Sequence, residues 1–171
     1  MKKYGYSKKK AALLSLVTLS AAAVGGIAHA GMPGGSCVST NLTISVPQSP
    51  LEFGTVFPCT ATAGTVEIRP AGQRSATACL VVSGTFQPAQ VHVGGTSGQA
   101  IVSVTAATAT ITAGANTMSV TSFDFKVKGG GPTITLNVPG TTNLGAVLNV
   151  AAAQAGGSYS GTFTVNAVCK P

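Results

Sequence analysis

Few residues of this chain are equipped for chemistry. Beyond residue 30 the acids are Glu52, Glu67 and Asp124, and the one histidine is His92. A general base or a nucleophile needs a partner within hydrogen-bond reach of the reacting group. His92 sits in Val91-His92-Val93, a strand-like tripeptide, with only those three scattered acids as partners. The expectation is a solvent-facing or hydrogen-bonded strand histidine, not the base of a triad. Glycoside hydrolysis needs a facing pair of carboxylates, and Glu67 already has Arg69 two residues along on its own strand face. Gly94-Gly95-Thr96-Ser97-Gly98 lacks the Lys-Ser/Thr and the helix of a phosphate loop, so it reads as a hairpin turn. Asn41-Leu42-Thr43 matches a glycosylation sequon but falls inside a predicted strand. Arg69, Arg74, Lys126 and Lys128 form at most a small basic patch, and without interleaved aromatics it reads as a solvated face. These residues point to no catalytic site, no cofactor and no nucleic-acid partner.

The cysteines are the other reactive group: Cys37, Cys59, Cys79 and Cys169. No C-x-x-C spacing occurs and His92 is the only imidazole available, which argues against a metal site. An even count in an exported chain predicts two disulfides, with three connectivities open.

Export itself is read from the first thirty residues. Lys2, Lys3, Lys8, Lys9 and Lys10 make a cationic start, an apolar stretch runs from Ala11 to Ile27, and Ala28-His29-Ala30 has the small-x-small pattern of a cleavage site. Residues 1–30 are therefore expected to be a signal peptide cut between Ala30 and Gly31. The stretch is broken by Ser15, Thr18, Ser20, Gly25 and Gly26, too short an apolar run for a membrane span, and the mature part has no transmembrane segment by the same test. Gly34-Gly35-Ser36 before Cys37 lacks the branched apolar residue of a lipoprotein signal. Removal of the leader takes five of the ten basic residues, leaving five against three acids, a net charge of +2 in place of +7. The high isoelectric point is thus a property of the leader and says nothing about an acidic partner.

Residues 31–36 then form a short flexible lead, and 37–171 one domain built of strands. Val38, Thr40, Leu42, Ile44 and Val46 alternate with Ser39, Asn41, Thr43 and Ser45 until Pro47 stops the run. Leu51, Phe53, Thr55 and Phe57 are expected to share a face, with Gly54 marking a bulge or a close backbone approach. Val66 and Ile68 face away from Glu67 and Arg69; a turn at Pro70–Gln73 leads to a returning strand over 76–82. Further strands are predicted at 101–105, 108–112, 119–128, 133–138, 147–150 and 159–168, and Ala151–Ala155 allows one helical turn at most. In the last strand Tyr159, Gly161, Phe163, Val165 and Ala167 share a face. Eight to eleven short strands with Gly- and Pro-rich turns, and no long crossover helices, predict an all-β, single, immunoglobulin-like antiparallel β-sandwich. With no Trp and one Tyr in the mature part, its core rests on Val, Ile, Leu and Phe.

Three stretches carry a resemblance: Leu51-Glu52-Phe53-Gly54-Thr55-Val56, then Gly64-Thr65-Val66 with the turn near Gly72, then Ala155-Gly156-Gly157-Ser158-Tyr159-Ser160-Gly161-Thr162-Phe163-Thr164-Val165. The chain resembles the exported bacterial family known as domain of unknown function 4402, over about Leu42 to Val168. More distantly, the L-x-F-G and G-x-Y-x-G-x-F-x-V patterns look like those of spore-coat-U-type pilins of archaic chaperone–usher systems. The resemblance implies an immunoglobulin-like sandwich in a fimbrium or on the surface of a Gram-negative-type bacterium, reached through the periplasm, and no catalytic residues. It implies as partners other copies or related subunits, a periplasmic chaperone and an outer-membrane usher. Assembly by strand addition needs a free apolar N-terminal strand. Gly31–Ser36 is too short for that role, so Val38–Val46 is the one candidate, and it can complete its own sheet or a neighbour's but not both. An N-terminal strand antiparallel to the C-terminal one favours pairing Cys37 with Cys169 and Cys59 with Cys79; the pilin analogy implies Cys37 with Cys79. Two functions follow as expectations: a pilin-like surface subunit assembling by strand addition, or a self-contained monomeric sandwich binding a glycan or envelope partner through its loops, with His92 and the Gly94–Gly98 loop as a shallow site.

Overall fold

The computed structural model describes residues 14–23, 42–45, 49–77, 79–95, 97–126 and 129–170. All regular structure among them is β. The strands are β1 (Leu14–Ala23), β2 (Thr43–Ser45), β3 (Leu51–Phe57), β4 (Gly64–Ile68), β5 (Arg74–Ala76), β6 (Val81–Ser83), β7 (Ala89–Gly94), β8 (Gln99–Val104), β9 (Thr108–Ala113), β10 (Asn116–Phe125), β11 (Thr133–Asn137), β12 (Gly140–Val150) and β13 (Ser160–Cys169).

Hydrogen-bonded neighbours follow the path β2-β7-β12-β10-β9-β13-β1-β3-β6, with β5–β4 added beside β12 and β11–β8 beside β13. Each pairing is antiparallel except that of β1 with β13. The path turns over between β9 and β13, where only Ser160 and Gly161 find partners, in Thr112 and Ile111. The two halves so formed face each other as an immunoglobulin-like sandwich. Phe123 of β10 and Phe163 of β13 meet across the core, their ring centroids 5.4 Å apart. Val91, Val102, Ile111, Val120, Leu144, Leu148 and Val165 fill it with no exposure at all. They come from both halves, as inward-facing positions of a sandwich do.

β12 serves two neighbours on one side: Gly140–Leu144 pair with β7 and Ala146–Val150 with β4. Gly145 lies at the changeover, where a Cβ would strike the carbonyl oxygen of Ile68 and the Pro70 ring. Only glycine lets the two partners approach there.

Strict alternation along single strands is broken twice. In β3, Phe53 and Gly54 are both buried and Val56 follows, so Thr55 and Phe57 are turned half away from the face expected of them. Gly54 has φ +81°, and a residue in that region shifts the pleat by one place. In β10 the register with β12 slips between Thr121 and Asp124, and Ser122 has φ 52°. That strand stops at Phe125, short of the expected 128. The Asp124 carboxylate accepts hydrogen bonds from the backbone N–H of Gly129 (2.8 Å) and Gly131 (2.9 Å), which curls the chain away.

The return over 76–82 is also two strands. β5 pairs with β4 and β6 with β3, so the chain crosses between the halves after Ala76. β2 spans only Thr43–Ser45 of the alternating N-terminal run. Val38, Thr40 and Val46 lie outside the described residues, as do Ala30, Gly31 and Cys37. With β1 set aside, twelve strands are described, one more than the upper expectation, because the single return expected over 76–82 is the two three-residue strands β5 and β6.

Tyr159 anchors the start of β13. It is wholly buried, its hydroxyl donates to the Ala155 carbonyl oxygen (2.9 Å) and accepts from Gln154 Nε2 (2.8 Å). A tyrosine bonded to the backbone a few residues upstream of its own strand is the corner of immunoglobulin-like sandwiches. Tyr159→Phe keeps the ring and strands two partners, so a loss of about 1–3 kcal/mol is expected, read as a lower urea midpoint at unchanged slope.

Candidate functional site

The groups singled out for chemistry are dispersed. His92 is exposed on β7 and its Nδ1 lies 3.1 Å from Thr141 Oγ1 on the neighbouring β12. Glu67 accepts from Ser75 Oγ (3.2 Å) and pairs with Arg69 Nε (3.4 Å), a contact near the surface worth little. Asp124 is spent on the Gly129–Gly131 turn. Among the described residues no three of His, Cys, Asp and Glu stand together as a metal site would require. Cys59 and Cys79 are joined, with Cα atoms 5.6 Å apart, so the Cys37–Cys79 pairing implied by the pilin analogy does not form. Cys169 is disulfide-bonded too.

What the fold assembles instead is a backbone site. β1 lies in a slot between β13 and β3, bonded to both. Against β13 the register puts Leu19, Ala21 and Ala23 opposite Gly161, Phe163 and Val165, and Thr18, Ser20 and Ala22 opposite Ser160, Thr162 and Thr164. Phe163 and Val165 are buried, whereas Ser160 and Thr162 are exposed. Against β3, Val17 stands opposite Gly54, Leu19 opposite Leu51 and Leu14 opposite Val56, all three buried, while Thr18 meets half-buried Glu52. Against β13 the pairing is regular, whereas against β3 the register shifts between Leu14 and Val17 and again between Val17 and Thr18. A slip of one residue would set its hydroxyls against the core positions.

The β3 wall is held by Arg74. From β5 its Nη1 donates to the carbonyl oxygens of Phe53 (3.2 Å), Ser83 (3.1 Å) and Gly84 (3.4 Å). Its guanidinium lies 4.3 Å from the Phe86 ring centroid, in the stacking position a cation favours. Desolvation on burial lowers its pKa, and the carbonyl cage compensates the charge. Gly54 makes room for this cage: a Cβ there would lie 2.5 Å from Arg74 Nη1 and 2.5 Å from the Ser83 carbonyl oxygen.

Of the expected strand-addition residues, Leu42 and Ile44 are described. Both are half-buried and packed on the core, Ile44 opposite Val93 on β7. β2 is therefore an outer edge of three residue pairs, at the opposite end of the path from β6. A groove of about 640 Å³ crosses the β4–β12–β10–β9 face, lined by Thr65, Thr77, Ser119 and Asn149 together with the apolar Met118 and Val150. Asn149 Nδ2 is engaged with Ser119 and Thr121, and Thr65 with Thr77.

Reading the sequence for catalytic types could not find this site, because backbone groups compose it. One signal was present. Val17-Thr18-Leu19-Ser20-Ala21 repeats the pattern apolar-Thr-apolar-Ser-apolar of Leu42-Thr43-Ile44-Ser45-Val46.

A family model described as Domain of unknown function (DUF4402) matches residues 42–168. That span takes in every strand after β1 except the last residue of β13. No curated protein and no solved structure matches the chain.

The clamp on the β3 wall is open to test. Arg74→Ala is expected to lower stability by about 1.5–3 kcal/mol, the range for hydrogen bonds to a charged group. Arg74→Lys should not restore it, since an ammonium lacks the planar face that stacks on Phe86. Amide exchange across Leu51–Phe57 should speed up in both variants.

Proposed function

This chain belongs to the family described as Domain of unknown function (DUF4402), and we propose that it is an exported structural surface protein, a pilin-like subunit that assembles by β-strand addition. The observation that carries this reading is the slot between β3 and β13, walled by backbone edges and occupied by β1. On this reading residues 1–30 are cut away as a signal peptide and β1 leaves with them. Two unpaired edges remain, about 9–10 Å apart at two strand spacings, over a core that includes Leu51, Phe53, Phe163 and Val165. Such edges recruit another strand, because their N–H and C=O groups have no partners. The donor is Val38–Val46 of a neighbouring copy or related subunit, whose Val38, Thr40, Leu42, Ile44 and Val46 supply the required alternation. At home the described part of that segment, Thr43–Ser45, pairs with β7 alone and lies at the end of the strand path, among the described residues. A periplasmic chaperone would cover the slot before an outer-membrane usher passes the subunit to the surface.

A second reading keeps β2 at home. Its antiparallel pairing with β7 favours a self-contained monomer that binds a glycan or envelope partner, either through its loops or along the groove on the β4–β12–β10–β9 face.

Light scattering on residues 31–171, purified from an oxidising periplasm, separates the two. Strand addition is expected to give multiples of the subunit mass that survive on an unheated denaturing gel and in reductant. Deletion of 31–46 together with Cys169→Ser should abolish them. A single monomer peak in every condition removes the assembly reading and turns attention to ligands.

A further inference from the structure

We propose that the leader strand is an internal stand-in for the donor: while attached, residues 14–23 close the slot that strand addition would use. This rests on the strand-addition reading, and adds to it a segment of the chain with a role no family match covers, since the matched span begins at residue 42. Three observations support it. First, β1 is paired on both sides, with six register positions on β13 and four on β3, where an edge strand such as β2 has partners on one side only. Second, its pairing with β13 is regular over six residues, whereas against β3 the register shifts between Leu14 and Val17 and again between Val17 and Thr18. Leu19 stands opposite Leu51 on one side and Gly161 on the other, and Thr18 opposite Glu52 and Ser160. The β13 wall therefore carries the register argument, with Phe163 and Val165 of that wall buried, since register is strongly specified where one face is buried.

Third, the five residues 17–21 share with 42–46 not only alternation but the same two hydroxyl residues at the same two places, Thr18 and Ser20 against Thr43 and Ser45. A segment built like the donor fits where the donor would fit. The consequence is an ordered device. The uncleaved chain has no free edge at β3 and β13 and does not assemble. Cutting between Ala30 and Gly31 releases β1 and makes the subunit competent at the moment its leader is lost. An edge capped within the same chain also has the advantage of effective concentration over an incoming strand.

The test uses the peptide LSLVTLSAAA with flanking lysines for solubility, added to residues 31–171, beside the full chain carrying Gly31→Pro to block cleavage. The peptide is expected to slow amide exchange at Leu51–Val56 and Ser160–Val165, and to lower the dimer-to-monomer ratio by about tenfold or more when in large excess. The Gly31→Pro chain should stay monomeric and show the same protected segments. A peptide with Leu19→Asp should do neither. If residues 31–171 assemble while the peptide changes neither exchange nor assembly, the stand-in role is overturned and strand addition stands. If residues 31–171 remain monomeric yet the peptide still protects both segments, the slot closes on the leader as proposed and it is the assembly reading that fails.

Discussion

A β-strand bonded on one side only presents a row of unmet N–H and C=O groups, and the sandwich depends on how β13 resolves this. β13 is the strand on which the two halves turn. It meets β8 and β9 on one side and runs its Phe163 against Phe123 of the opposite half. Its other side over Ser160–Val165 is met, among the described residues, by β1. Buried polar backbone is costly when unpaired, so whichever strand lies there is part of the structure and not an ornament. β3 faces the same requirement from across the slot.

The surrounding residues fix both walls of the slot. Tyr159 fixes where β13 begins, tied to the backbone four residues upstream. Arg74 gathers three carbonyl oxygens around β3 and the turn after β6. Gly54 gives up its side chain so that this can happen. The Cys59–Cys79 disulfide ties the end of β3 to the crossing segment that leads into β6. Such a bond stabilises chiefly by restricting the unfolded chain, by about 2–4 kcal/mol in typical cases. These devices are unlike one another chemically; Arg74, Gly54 and the disulfide act around β3, and Tyr159 acts at the start of β13. Precision there is intelligible if the slot must accept a strand in a single register.

Much of the architecture was legible because period two is a strong signal. Val66 and Ile68, Phe123 and Phe125, and Phe163, Val165 and Ala167 are buried as their alternation requires. The Gly- and Pro-marked turns separated them into short strands with no room for crossover helices. Where the reading slipped, a local break in the pleat was responsible. Positive φ at Gly54 shifts the inward face of β3, so that Thr55 and Phe57 do not join Leu51 and Phe53, and a count of alternating types does not register such a shift. The end of β10 was misplaced because Asp124 looks like an outward polar residue in sequence, whereas its carboxylate in fact builds the following turn.

The sequence by itself determined the class, an all-β chain with a lean aliphatic core, and it determined that few groups are disposed for chemistry, since residue type and spacing settle both. It also held the likeness of residues 17–21 to 42–46, although that likeness means nothing until a place exists for either segment to occupy. Only the tertiary structure decided that β13 and β3 stand one strand apart, which edge β2 takes, and which carbonyl oxygens Arg74 collects. Those facts arise from contacts between residues far apart in the chain, such as Arg74 with Phe53 and Leu19 with Gly161. Long-range backbone pairing depends on where folding carries each edge, and periodicity records only which side of a strand is apolar.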